Sequence, residues 1–382
     1  MQRAYLNWIS WSVVIALAIW LRMDGLSDRP IHADEATGAR ILAERIAGND
    51  YEFDPNHFHG PFLSFITQPI AQIRGEGNWS DLSVNTLRFS VVLAGLLTVL
   101  APLLLLNEIG RLPALISGAL LATSPLLVYY NRMYIHESWL VLFGLLSFCA
   151  IHRLLVRPNS NNSLLAGLFV GLMFATKETF AISIISWSLA CFVYLFSRNY
   201  AGGSKFALKP YFKSITIGSL FSIFVGAVFF TNCFTRPSAI LDAFETFFVY
   251  ETTPGHEKPS LYYLELLVWP KYAIGTWWSE ALVCLLSIIA VVFGVIRKKN
   301  LPFLLLILVS TFAHILIYSS IAYKTPWLML LPWAHACFLG ALAFRTFDQE
   351  NRLIKGSLMV LLVLGLTFQT KQSLDASGKF SN

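Results

Sequence analysis

Apolar runs recur along this chain from one end to the other, separated by short polar stretches and two long ones. A helix crossing a hydrocarbon core of ~30 Å needs about 20 mainly apolar residues, and fewer where flanking side chains reach back to the interface. On that rule the pattern predicts about eleven spans, at residues 8–23, 89–106, 113–130, 138–155, 164–176, 180–196, 215–230, 281–296, 301–318, 327–343 and 356–368. A further apolar stretch, 261–276, is interrupted by Glu265, Pro270 and Lys271 and reads as lying flat in the interface or re-entering it. In the first long segment, 24–88, residues Ala36, Ala39, Leu42, Ala43 and Ile46 fall on helical spacing, so 35–47 reads as a short surface helix and 61–73 as a second. The second long segment is 232–280. The expected fold is therefore all-α and polytopic, one transmembrane domain over 1–382 with a short tail from 369.

Composition sharpens this picture. The chain is 56% hydrophobic and 13% charged, against roughly 25% charged in a soluble domain. Its net charge of +6 raises nucleic acid as a partner, but Lys and Arg sit in short clusters between apolar runs, so no nucleic-acid role is expected. Cys149, Cys191, Cys233, Cys284 and Cys337 are too scattered for a CxxC pair or a disulfide ladder. No small-residue cleavage site follows the first run, which reads as a retained span.

The charges also give an orientation. Alternate connections hold Arg153 and Arg157, then Arg198, Lys205, Lys209 and Lys213, then Arg297, Lys298 and Lys299, then Arg345, Arg352 and Lys355. Only Glu108, Asp348 and Glu350 of the 22 acids fall on that side. The positive-inside rule makes it cytoplasmic, with the N-terminus inside a plasma (inner) membrane and the two long segments outside. No internal repeat of fixed period is present.

The chemically unusual residues gather in or beside the outer segments. Asp34 and Glu35 stand side by side where the chain leaves the first span: either a carboxylate base, favoured by partial desolvation, or helix capping with Asp34 as N-cap. The stretch 51–61 holds Asp54, His57 and His59 among turn formers and reads as cavity lining. Two histidines fall short of a zinc site, so a divalent metal is possible on residue type but unsupported, and no cofactor is assigned. Arg132 in Tyr-Tyr-Asn-Arg offers a planar fork for phosphate, or an interface anchor; Glu137 follows it. Lys177 and Glu178 lie close to membrane depth between two apolar runs, where charge is costly unless paired or functional, and Lys324 sits similarly before Pro326. Residues 251–259 read as a mobile flap or a solvated loop, and Asn78-Trp79-Ser80 is a formal glycosylation sequon.

Taken in order, His-Ala-Asp-Glu-Ala at 32–36, Asp-Pro and His-Gly-Pro within 54–61, Tyr-Tyr-Asn-Arg at 129–132, Ala-Thr-Lys-Glu at 175–178 and Tyr-Lys-Thr-Pro-Trp at 323–327 resemble the flippase-activity-associated, glycosyltransferase-like membrane proteins. These are grouped with protein O-mannosyltransferases and aminoarabinose transferases. The resemblance covers about residues 8–345. It implies a GT-C-like bundle in which Asp34, with Glu35 beside it, is the catalytic base. It implies a sugar donor linked to polyprenyl or dolichyl phosphate, taken from the membrane lipid, and a glycan or protein acceptor. Transfer would be a single inverting displacement. Arg132, Lys177 and Lys324 would then stabilise the leaving phosphate, while Glu137 and Glu178, with Asp54 and His59, complete the substrate site. Those relatives carry further soluble domains, so acceptor choice here is expected to rest on the two outer segments or on a partner. A flippase, or its accessory, for lipid-linked glycans is the alternative, and a noncatalytic assembly protein a third reading.

Overall fold

The computed structural model describes residues 2–48, 53–201, 208–249, 255–268, 271–273, 276–298, 300–346 and 352–379. The helices are α1 (Gln2–Met23), α2 (Ala33–Ile46), α3 (Phe62–Ile73), α4 (Val84–Leu100), α5 (Leu106–Ile109), α6 (Arg111–Thr123), α7 (Pro125–Tyr130), α8 (Glu137–Val156), α9 (Ser160–Phe174) and α10 (Phe180–Ala201). They continue as α11 (Phe212–Phe230), α12 (Ala239–Val249), α13 (Tyr262–Val268), α14 (Ala281–Arg297), α15 (Leu301–Ser320), α16 (Leu330–Thr346) and α17 (Arg352–Leu374).

Among the described residues, seven stretches are long and apolar enough to cross a membrane: Val84–Ile109, Glu137–Val156, Phe180–Asn199, Lys209–Phe230, Leu301–Ser320, Pro326–Arg345 and Arg352–Gly378. The remaining four expected spans coincide with the shorter apolar helices Trp8–Met23, Arg111–Thr123, Ser160–Phe174 and Ala281–Arg297. Seven of the eleven expected spans are thus long and apolar enough to cross a membrane, and the other four fall on shorter helices. Helices form at both segments expected to be surface helices, as α2 and α3, and α3 is itself a short apolar helix. The interrupted stretch 261–276 resolves into α13 and part of a small antiparallel pairing of β1 (Lys271–Ala273) with β2 (Thr276–Trp278). Residues 251–254 of the expected flap lie outside the described residues, as do Lys205, Lys299, Asp348 and Glu350. Beyond them the loop is held: Lys258 N–H donates to the Ala322 carbonyl (3.1 Å) and Lys324 N–H to that of His256 (2.9 Å).

α16 forms the axis of the bundle and is almost wholly buried, whereas α17 turns Leu353, Val360 and Leu364 outward, as suits contact with lipid. α9 and α11 meet through glycines. A Cβ on Gly167 would stand 2.4 Å from the Gly218 carbonyl oxygen, so the two backbones touch without intervening side chains.

The expected span 113–130 is broken in two, for a local reason. Pro125 has no N–H to return to the Leu121 carbonyl, and Leu126 N–H donates instead to the Glu280 carboxylate at 3.0 Å. The carbonyls of Leu121 and Ala122 are thereby left for the buried guanidinium of Arg22, which donates to each at 2.9 Å and to Asn131 Oδ1 at 3.1 Å. Glu280 is fully buried, also taking Ser124 Oγ–H (2.5 Å) and Gln369 Nε2–H (3.0 Å). Burial outweighs these donors and pushes its carboxyl up to about 7.

The first long segment is organised by Arg88, itself 1% exposed. Its guanidinium donates to the carbonyls of Leu26 (2.8 Å), Arg29 (2.9 Å) and Pro30 (3.1 Å), and to both oxygens of Glu35 at 2.9 Å. Glu35 also accepts N–H groups from Tyr134 (2.8 Å) and His32 (3.0 Å). Burial would raise the Glu35 carboxyl, but the Arg88, His32 and Tyr134 donors hold it below the usual range. His32, not Asp34, is the N-cap of α2, closing a capping box with Glu35.

Removing either partner strands a buried charge, so Arg88→Ala should cost about 3–5 kcal/mol, seen as a lower midpoint in thermal or denaturant unfolding in detergent. Glu35 is depressed in the folded state, so its stabilisation is present above the ordinary glutamate value of about 4.3 and is lost as pH falls through the lower folded value. Glu280 has the opposite sign. Its raised folded value makes stability fall as pH rises from about 4.3 to about 7. Glu280→Gln should flatten that fall in a pH series of unfolding midpoints; an unchanged slope would discount the buried neutral carboxyl.

Candidate active site

The adjacent acids Asp34 and Glu35 point in different directions, as successive residues on a helix must. Glu35 is turned into the protein and its oxygens are occupied by four N–H donors from Arg88, Tyr134 and His32. The Asp34 carboxylate is half exposed, 3.7 Å from His32 Nδ1. His32 in turn sets its ring edge-on to Trp327, at a centroid distance of 6.2 Å.

A second group forms where residues 59–62 dock on the α9–α10 link. Phe62 N–H donates to the Ala175 carbonyl (2.9 Å), and Gly60 lies so close that a Cβ there would meet the same oxygen at 2.3 Å. This seam brings His59 Nδ1 to 3.0 Å from Glu178. Burial would raise Glu178, but His59 and Lys177 hold it down to about 2. His136, N-cap of α8, is edge-on to His59 at 5.2 Å with its Nε2 3.1 Å from the Gly60 carbonyl, and burial together with His59 and Lys177 pushes it well below the usual histidine value. Beside them Lys177 Nζ donates to Glu137 at 2.5 Å, both side chains buried.

Tyr323 links the two groups. It is half-buried, burial raises its hydroxyl, and it lies within electrostatic reach of Lys177, Asp34, Glu137 and Glu178 together. Sequence reading quoted Tyr323 within its motif but gave it no role. It missed Glu280 as well, since an acid at the end of a polar segment looks solvated until the fold closes over it.

The other sequence candidates are engaged with backbone. Arg132 donates to the carbonyls of Leu21 (3.0 Å), Asp24 (2.6 Å), Gly25 (2.8 Å) and Ser377 (3.2 Å), so it ties down the end of α1. Lys324, 2% exposed, donates to the carbonyls of Lys258 (3.1 Å) and Ile321. Asp54 is held below the usual range, against its small burial, by Asn56 N–H at 2.9 Å and by His57 at 2.9 Å, and so closes its own turn. Among the described residues no three His, Cys, Asp or Glu side chains gather in a way that could hold a metal.

An apolar groove of about 630 Å³ runs along α8, α9, α10 and α11. Phe174, Phe180 and Phe247 line one end, directly beside the Lys177–Glu178 link, and Leu155, Leu195 and Tyr211 the other. It meets the lipid side at Phe192, Ile215 and Ile223, each about half exposed.

Residues 58–225 match the family described as dolichyl-phosphate-mannose-protein mannosyltransferase. No curated protein matches the chain significantly in sequence. Among solved structures, the chain is similar to ArnT from Cupriavidus metallidurans in the apo state, with TM-score 0.66 and 16% identity over 94% of this chain and 62% of that one. It is similar to the archaeal oligosaccharyltransferase AglB from Archaeoglobus fulgidus, in complex with an inhibitory peptide and a dolichol-phosphate, with TM-score 0.65 and 15% identity over 98% and 56% of the two chains. Similarity to the S. cerevisiae protein O-mannosyltransferase Pmt1–Pmt2 complex bound to the sugar donor is lower, with TM-score 0.50 and 19% identity over 60% and 34%. The chain thus spans less than two thirds of the length of each, and at these identities the likeness is one of fold. The chain shares its fold with these membrane glycosyltransferases, and residues 58–225 match the mannosyltransferase family model.

Proposed function

We propose that the protein transfers a sugar from a polyprenyl- or dolichyl-phosphate donor to an acceptor hydroxyl on the extracytoplasmic face of the plasma membrane, with its N-terminus in the cytoplasm. One observation carries the reading: a half-exposed carboxylate, Asp34, and the buried Lys177–Glu137 pair, with Glu178 of the Glu178–His59 pair beside it, all lie within electrostatic reach of Tyr323. A displacement at an anomeric carbon needs a base on one side and charge stabilisation on the other. Asp34 takes the proton of the acceptor hydroxyl as that oxygen bonds the anomeric carbon. The bond from that carbon to the phosphate oxygen breaks, and the lipid phosphate departs with the electron pair on the side of Lys177, giving inversion. Glu137 and Glu178, the latter bonded to His59, orient the lysine and the sugar.

The groove supports a lipid-borne donor, because its end lies next to the Lys177–Glu178 link and its walls suit a hydrocarbon tail. ArnT has been solved bound to undecaprenyl phosphate, and AglB with a dolichol-phosphate. In this reading Glu35, Arg132, Lys324 and Asp54 position backbone. The groove's length also suits a flippase, but a sugar headgroup moving along apolar walls would lose its hydration with nothing to replace it. That favours transfer.

With purified protein in lipid nanodiscs and a panel of lipid-phosphate sugars, Asp34→Asn should lower kcat by about 10²–10⁴-fold, as expected for loss of a general base. Transfer at the wild-type rate would overturn the assignment, and movement of labelled donor across vesicles without transfer would install the flippase reading. Replacing Lys177 and Glu137 together by Met and Gln, which avoids stranding a buried acid, should lower kcat by about 10²–10³-fold with a smaller effect on KM. An effect confined to KM would make the lysine a ground-state anchor.

A further inference from the structure

From His32, beside Asp34, a row of rings leads away. His32 meets Trp327 at 6.2 Å, Trp327 meets Tyr130 at 5.8 Å, Tyr130 meets Tyr129 at 5.0 Å and Tyr129 meets Trp278 at 6.2 Å. Four separate segments contribute: the α2 cap, the end of α7, β2 and the turn before α16. Every contact in the row is edge to face, with interplanar angles of 77°, 68°, 82° and 89°. Each contact of this kind covers a face of only one of its two rings, where a stacked pair covers a face of both. Trp327, Tyr129 and Trp278 remain half-buried, leaving surface for another molecule.

The polar groups of the row fit the same use. Neither the Tyr130 hydroxyl nor the Trp327 indole N–H has a hydrogen-bond partner among the described residues, and neither is a sealed-in orphan. The guanidinium of Arg29 lies over the Tyr129 ring, 4.5 Å from its centroid, and donates to the Arg132 carbonyl at 3.2 Å. A surface of aromatic faces punctuated by neutral donors is complementary to a ring with an apolar C–H face and a rim of hydroxyls, which is a pyranose.

We infer that this row, from His32 through Trp327 and Tyr130 to Trp278, is the acceptor subsite, and that the acceptor presents a sugar ring, so the protein extends or decorates a glycan. The inference rests on the transferase reading above and narrows its acceptor. The hydroxyl to be glycosylated then lies at the His32 end of the row, where Asp34 receives its proton.

The test uses the full-length protein in nanodiscs and saturation-transfer NMR with the methyl glycosides of mannose, glucose, galactose and N-acetylglucosamine, beside a serine- and threonine-containing hexapeptide. At least one glycoside should take up saturation on one face of its ring. Trp327→Ala or Tyr130→Ala should weaken that glycoside about 3- to 10-fold, the range for loss of one aromatic contact. Trp327→Phe should retain most of it, which separates a lost face from a misfolded protein. No glycoside signal, a signal indifferent to Trp327, or a Trp327-dependent signal from the peptide alone would each overturn the inference. If glycoside binding depends on Trp327 while Asp34→Asn transfers sugar at the wild-type rate, the catalytic reading fails and the subsite stands.

Discussion

The buried pair of Arg88 and Glu35 decides where everything at the acid-rich end of the bundle lies. A guanidinium withdrawn from water needs all its donors answered, and Arg88 obtains this by drawing in the carbonyls of residues 26–30 together with one carboxylate. That demand folds the exit of α1 back over α4 and fixes the first turn of α2. Glu35 then takes the Tyr134 N–H and so anchors the α7–α8 connection to the same point. Asp34 inherits its position from this arrangement. It is rigid because its neighbour is saturated, and accessible because one residue along a helix is a turn of about 100°.

Charge is used in two ways across the site. Arg22, Arg132 and Lys324 are spent on backbone carbonyls, holding the ends of α1, α6 and the 256–258 segment where helices stop and polar backbone would otherwise be bare. Lys177 is paired with a side chain, Glu137, and side-chain pairs can be reorganised by an incoming anion without unmaking the fold. This contrast, more than proximity alone, sets Lys177 apart from the other cations.

The membrane character of the chain and both surface helices were legible because lipid and interface impose periodicities that a sequence must display. The break at Ser124–Pro125 was not, since proline inside an apolar run is tolerated in many spans and what ends this one is Glu280, distant in sequence. In the candidate site, the motifs singled out Asp34, Glu137, Lys177 and Glu178, all of which lie within electrostatic reach of Tyr323. They could not divide Asp34 from Glu35, because the direction of a side chain depends on where its helix begins, and the cap is His32. Nor could they tell that Arg132 and Lys324 face carbonyls, for a carbonyl acceptor leaves no mark in a sequence.

The interrupted helix has a further meaning for the history of the chain. Pro125 withholds one amide, Glu280 diverts another, and Arg22 takes the two carbonyls so released. Three positions far apart in the sequence thus meet at one helix break, where each answers a donor or acceptor that the break leaves open. With an amide restored at 125, the Leu121 carbonyl would be taken back into the helix and lost to Arg22. Across related chains, a residue other than proline at 125 should therefore travel with the loss of the arginine at 22, an inheritance written in no motif.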